Sequence, residues 1–161
     1  MEETPDMGLV EGVGLTQGVF VGSFTHSLDP KKRLTIPSEW REQVGTPGGL
    51  YVLPGIDKRC LYVFPAREMV KRLQRLMNHP VTDSRARQFS RALASKSQVV
   101  PWDAQGRIRV KDELLDWAQV TAQVLMVGVF GSFEVWSPEL WQEAGIPAEA
   151  SLADAAQYVG F

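Results

Sequence analysis

The 161-residue sequence predicts an α+β fold, mostly β and built from a duplicated unit. Three observations carry that prediction. The chain matches itself at a shift of 74 residues. Each copy alternates short β-type runs with tight turn signals and one short helical stretch. Between the copies lies a segment whose apolar residues recur at helical spacing.

The repeat is an ordered set of matches. Asp29-Pro-Lys-Lys-Arg33 falls on Asp103-Ala-Gln-Gly-Arg107, Leu34 on Ile108, Ile36 on Val110, and Trp40 on Leu114. Leu50-Tyr-Val-Leu53 falls on Val124-Leu-Met-Val127. After a two-residue loop difference, Leu61-Tyr-Val-Phe64 meets Phe133-Glu-Val-Trp136 at a shift of 72. The units span 17–65 and 96–144, with a linker at 66–95 and extensions at 1–16 and 145–161. A unit of ~50 residues buries little surface alone, so the copies are expected to share a core.

In chain order, each unit opens with a strand, Gly18 to Phe24 or Ser97 to Trp102. A tight turn follows at Asp29 or Asp103, then a short strand, Arg33 to Ile36 or Arg107 to Val110. A short helix comes next. Pro37 suits its first position and Gly45 its stop in the first copy. In the second, Lys111 to Ala118, Asp112 and Glu113 favour the start through the helix dipole. Two strands close the unit, split by Gly55-Ile-Asp57 or Gly131-Ser132. Pro65 to Met69 and Ser137 to Trp141 read as helix starts. In the linker, Met69, Val70, Leu73, Leu76 and Met77 mark a helix that Asn78-His-Pro80 breaks. Thr82 or Asp83 then caps a second one carrying Ala86, Phe89, Ala92 and Leu93. Residues 146–161 show no amphipathic pattern, and both extensions are expected to be mobile.

Composition narrows the function classes. With 44% hydrophobic and 22% charged residues the chain is globular rather than disordered. Cys60 is the one cysteine, so no intrachain disulfide or cysteine-based metal site forms, and His26 and His79 show no ligand spacing. No apolar run reaches the ~18 residues of a membrane helix, and the acidic start does not resemble a signal peptide. A soluble, cytoplasmic protein without membrane contact is expected. No phosphate loop or nucleophile triad stands in context, and Cys60 reads as core, so neither an enzyme nor a small-molecule substrate nor a cofactor is expected.

Charge is uneven. Residues 1–24 carry −4, residues 134–161 carry −5, and all 17 basic residues lie in 25–133, which carries +7. A basic body with acidic ends suits a polyanion, and equally a solvated surface with two tails. The linker alone holds seven basic residues against Glu68 and Asp83. Its polar face could meet phosphate or an acidic surface on a neighbouring subunit.

The chemistry concentrates at two turns. Asp103-Ala-Gln-Gly106 fits a type I turn with Gly accepting positive φ. Asp29-Pro-Lys-Lys32 fits it with Lys32 in place of Gly, which costs about 1 kcal/mol or more if the position is left-handed. Each Asp either caps its turn and pairs with the Arg four residues on, or orients that Arg toward a DNA base or phosphate. Arg33, Lys31, Lys32 and Arg107 are the candidate DNA-contacting residues, with Asp29 and Asp103 orienting them.

These motifs carry a resemblance. Phe20-Val-Gly-Ser-Phe-Thr-His-Ser-Leu-Asp-Pro-Lys-Lys-Arg-Leu-Thr-Ile-Pro37, Ser97 to Ile108, and Phe133 to Trp141 occur in the order and spacing of the MraZ family, within the AbrB-like (SpoVT-AbrB) superfamily. The resemblance runs from about Val19 to Gln142. It implies two AbrB-like swapped-hairpin units forming a pseudo-twofold β-barrel with short helices, and assembly into a ring-like homo-oligomer. It implies a nucleoid-associated transcription regulator that represses its own division and cell-wall operon by binding direct repeats in double-stranded promoter DNA. The motif Arg matches Arg33 and Arg107; the motif Lys matches Lys31, replaced by Gln105 in the second copy. Lys32 stands where the family usually has Gly. Two further readings are an antitoxin-like protein with a toxin partner and an oligomeric scaffold that does not bind DNA.

Overall fold

A computed structural model describes residues 19–44, 49–101, 103–146 and 149–161. The N-terminal extension 1–16, Gly18, Gly45 and Trp102 lie outside the described residues. The elements are β1 (Ser23–Ser27), β2 (Arg33–Thr35), α1 (Ser38–Val44), β3 (Leu50–Pro54), β4 (Leu61–Pro65), α2 (Ala66–Met77) and α3 (Ser84–Ala94). They continue with β5 (Gln98–Val100), β6 (Arg107–Arg109), α4 (Asp112–Trp117), β7 (Gln123–Gly128) and β8 (Phe133–Trp136). The chain ends with α5 (Pro138–Leu140), which runs into a π-helical turn (Trp141–Gly145), and α6 (Glu149–Val159). The fold is mixed α and β, with six strands in the order β1-β7-β8-β4-β3-β5 and a separate two-stranded ribbon, β2-β6. All pairings are antiparallel.

The halves interleave. β1 pairs with β7 from the other half, β4 with β8, and β2 with β6. The pairing pattern is unchanged when each residue is exchanged with its counterpart 74 positions away. His26↔Val124 becomes Leu50↔Val100, and Leu34↔Ile108 maps onto itself. At the shift of 72, Tyr62↔Glu134 also maps onto itself. Among the described residues no ladder joins β1 to β5, so the hydrogen-bonded sheet is open rather than closed as a barrel. Among the described residues the three-residue strands β2 and β6 pair only with each other.

One core joins both halves. Leu34 and Ile108 from the ribbon, Trp40 from α1 and Leu114 from α4 pack with Val52, Val63, Met126 and Phe133 of the large sheet. Full burial of each Leu, Ile, Val or Phe contributes roughly 1.5–3 kcal/mol, and this cluster draws such residues from both units. Trp40 meets Phe20 edge-on at 5.5 Å and Phe24 at 5.1 Å, and its indole Nε1 donates to the Val21 carbonyl at 3.0 Å. A second cluster, Leu53, Phe64 and Met69, seats α2 on the sheet's other face, with Leu93 of α3 against it.

Three local expectations need correction. The first strand is not Gly18 to Phe24 but Ser23–Ser27. Phe20 makes only an isolated bridge to Phe130. The strand alternates exposed Ser23, Thr25 and Ser27 with half-buried Phe24 and His26, so its polar face hid it. Pro37 precedes α1 rather than opening it: its carbonyl accepts from Trp40 and Arg41. Residues 149–159 form a helix with Leu152, Ala155, Ala156 and Val159 at i, i+3, i+4 and i+7. Two alanines in that stripe kept its periodicity faint. Elsewhere local chemistry acts as the sequence indicates. Asp83 caps α3 by accepting from the Ala86 amide, and Ser137 caps α5 by accepting from Leu140. Among the described residues no helix is long and apolar enough to cross a membrane.

Candidate nucleic-acid interface

The two turns at the ends of the ribbon share one construction. Lys32 N–H donates to the Asp29 carbonyl at 2.8 Å, and Gly106 N–H to that of Asp103 at 2.9 Å. Each Asp amide in turn donates to the Arg carbonyl four residues on, at 3.1 and 2.9 Å. Lys32 has φ 60° and Gly106 φ 78°, so both turns use a left-handed residue before the next strand. Lys32 therefore carries the conformational cost its sequence position predicts.

Each Asp carboxylate organises its turn. Asp29 Oδ1 accepts from the amides of Lys31 (2.9 Å) and Arg33 (2.7 Å), while Oδ2 accepts from Arg33 Nε at 2.6 Å. Asp103 repeats this with Gln105 N (2.9 Å), Arg107 N (2.9 Å) and Arg107 Nε (2.7 Å). The backbone amides of Arg33 and Arg107 are the main cause holding these carboxyls below the usual carboxylate range, with the guanidinium bonds adding to it. Capping the turn and orienting the arginine are thus one arrangement, because the bonds use both carboxylate oxygens.

The ribbon gives these arginines a common face. Leu34 and Ile108 point into the core, so alternation turns Arg33, Thr35, Arg107 and Arg109 outward. Arg33 lies opposite Arg109 and Thr35 opposite Arg107. Like charges facing across strands are unfavourable, and each arginine here has its own carboxylate. Arg109 Nη2 reaches Asp112 at 2.8 Å, while its Nη1 donates to the Val110 carbonyl. Lys32 Nζ stands 3.6 Å from the same Asp112. The Arg109 bond first, then the Lys32 charge, lowers the Asp112 pKa. The Arg33 and Arg107 side chains stay 27% and 31% exposed, enough to leave their outer ends within reach of a partner.

The tips differ at two positions. In the second turn Gln105 accepts from Arg107 Nη2 at 3.1 Å. Its counterpart Lys31 is a cation and cannot accept, and among the described residues no partner engages the terminal nitrogens of Arg33. The Arg33 fork is the more available of the two. At the left-handed position, a Cβ on buried Gly106 would stand 2.3 Å from Arg41 Cδ. Lys32 occupies the equivalent place in the open, which is why the first turn can carry a side chain there.

The structure thus brings Arg33, Lys31, Lys32, Arg107, Asp29 and Asp103 onto one ribbon and its two tips. Arg109 was absent from the sequence-based set, although its i+2 spacing from Arg107 already puts both on one face of a strand. His26 is half-buried in β1, opposite Val124 of β7. Cys60 is buried, and burial pushes its thiol up to about 12, far from the thiolate a nucleophile requires. Among the described residues no group of three His, Cys, Asp or Glu side chains is placed to hold a metal ion.

Comparisons with known proteins agree with the motifs. A family model described as "MraZ protein, putative antitoxin-like" matches residues 93–158. The transcriptional regulator MraZ of Clostridium acetobutylicum is 36% identical over 125 residues, covering 78% of this chain and 86% of the relative. The proteins of the same name from Desulforamulus reducens and Natranaerobius thermophilus are 35% and 33% identical over 141 residues. Those alignments cover 88% of this chain and 97% and 96% of the relatives. At that identity over nearly the whole length of each relative, the chain belongs to the MraZ family.

Proposed function

We propose that this chain is a sequence-specific DNA-binding transcription regulator. The names of its relatives support the class, and the outward face of the β2-β6 ribbon is the observation that carries DNA contact. A two-stranded ribbon fits the major groove, where an arginine fork reads guanine O6 and N7. Arg33, held at Nε by Asp29, is the base-reading residue. Lys31 and Lys32 contact phosphate, and Arg107, oriented by Asp103, provides the second contact. No cofactor, small-molecule substrate or catalytic residue enters the mechanism.

The exchange symmetry of the ladders supports reading the halves as two AbrB-like swapped-hairpin units about a pseudo-twofold axis, with the ribbon folded over the sheet in a barrel-like core. In this reading copies assemble into a ring at the nucleoid. The ring presents several ribbons to direct repeats upstream of the protein's own division and cell-wall operon and represses it. Weak single contacts become strong by linkage.

Fluorescence anisotropy on DNA from directly upstream of this reading frame tests the proposal. Affinity should rise steeply with repeat number and fall with salt. Equal affinity for one repeat and for the array would contradict the linked-ring mechanism. The family description favours a second reading, an antitoxin-like regulator with a toxin partner. Co-purification of one stoichiometric protein from the source cell, with no DNA preference, would select it.

A further inference from the structure

Two apolar surfaces are left open in one chain, and they complement each other. The first is a groove of about 520 Å³ between α2, α3 and β5. Met69, Leu73 and Leu93 line its depth, and Met77, Val81 and Val99 line it while standing 74%, 76% and 56% exposed. Among the described residues β5 pairs only with β3, so the strand beside the groove is an edge. The second surface is α6. Leu152 and Val159 of its stripe are 62% and 70% exposed, and the neighbouring Tyr158 is 91% exposed. Residues 152–155 and 157–161 are all exposed.

We infer that the α2–α3 groove is the docking site for α6 of a second copy of this chain. This inference rests on the oligomer proposed above and names the contact that builds it. Charge supports the pairing. The segment 66–95 that forms the groove holds seven basic residues and two acidic ones, whereas α6 holds Glu149 and Asp154 and no basic residue. Arg87 stands in the groove lining itself. Dimensions match as well: α6 and α3 each have 11 residues, about 16 Å of helix. An amphipathic helix laid in an apolar groove is a common recognition mode, read through its i, i+3, i+4 and i+7 anchors.

The contact is heterologous: groove and helix are different surfaces of the same chain. Each docked copy therefore still offers one free groove and one free helix, and the series ends when a ring closes.

Light scattering on size-exclusion peaks of the full chain at micromolar concentration tests this, with two double variants. Leu152→Asp with Val159→Asp removes the helix anchors. Met77→Asp with Val81→Asp removes the groove rim. All four side chains are exposed, and far-ultraviolet circular dichroism verifies that both variants fold. The expected result is a closed oligomer for wild type and a monomer for each variant. An equal mixture of the two should form a heterodimer and nothing larger, since one intact groove and one intact helix remain. Variants that both keep the wild-type size overturn the docking and leave the oligomer standing. A monomeric wild type overturns both together.

Discussion

Among single residues, Lys31 and Lys32 set the first turn apart from the second. Lys31 cannot accept the bond that Gln105 accepts from Arg107, which leaves the Arg33 fork available. Lys32 holds φ 60°, a conformation that costs a non-glycine residue roughly 1–2 kcal/mol. Lys32→Gly should raise unfolding stability in denaturant by about 1 kcal/mol. The same change removes a cation and should weaken DNA binding at low salt. A variant no more stable than wild type would mean that the Lys32–Asp112 pair offsets the strain. Asp29 makes a pH prediction. Its carboxyl is held below its ordinary value, so its stabilising contribution is full above that value and is lost as pH falls through the depressed one. The melting-temperature gap between wild type and Asp29→Asn should stay constant from pH 7 to 5 and narrow below about pH 4. A gap unchanged at pH 3 would assign the effect to something other than the ionised carboxylate.

At the scale of elements, packing decides what the local pattern leaves open. Gly128 at the end of β7 shows why. A Cβ there would lie 2.4 Å from the Phe20 carbonyl oxygen and 2.8 Å from Val21 N, backbone atoms that cannot swing aside. Gly128→Ala should destabilise by about 2–3 kcal/mol in denaturant unfolding, the scale of core overpacking. A neutral result would mean that the bridge between Phe20 and Phe130 is dispensable. Most elements were legible in the sequence because their cues are local. Asp83 and Ser137 are capping residues, Lys111 to Ala118 has acidic residues at its start, and Leu50-Tyr-Val-Leu53 is an apolar run. β1 was not legible, because an edge strand buried on one face can carry Ser, Thr and His. The turns were legible down to the strained Lys32. The i+2 spacing of Arg107 and Arg109 was legible, but that Arg109 stands opposite Arg33 needed the β2-β6 register. The Gln119 cap of α4 was equally hidden. Gln119 takes φ 56°, and the bonds Gln119 N–H to Asp116 O and Val120 N–H to Leu115 O form a Schellman end without glycine.

At the scale of the whole molecule, the repeat explains why two small units suffice. Each lends strands to the other, so one core forms where neither half alone would bury enough. The same interleaving sets the two Asp-Arg turns at opposite ends of one ribbon and puts both copies of the motif on a single surface. Charge then sorts by region: cations on the ribbon and the α2–α3 pair, carboxylates toward the C-terminus. Base reading by Arg33 is decided by the affinity of wild type and Arg33→Ala for upstream DNA and for a scrambled duplex at one salt concentration. Arg33→Ala should lose about 1–3 kcal/mol on the specific duplex and little on the scrambled one, as removal of a base-reading fork should. Equal losses on both duplexes, or none on either, would contradict base reading by Arg33.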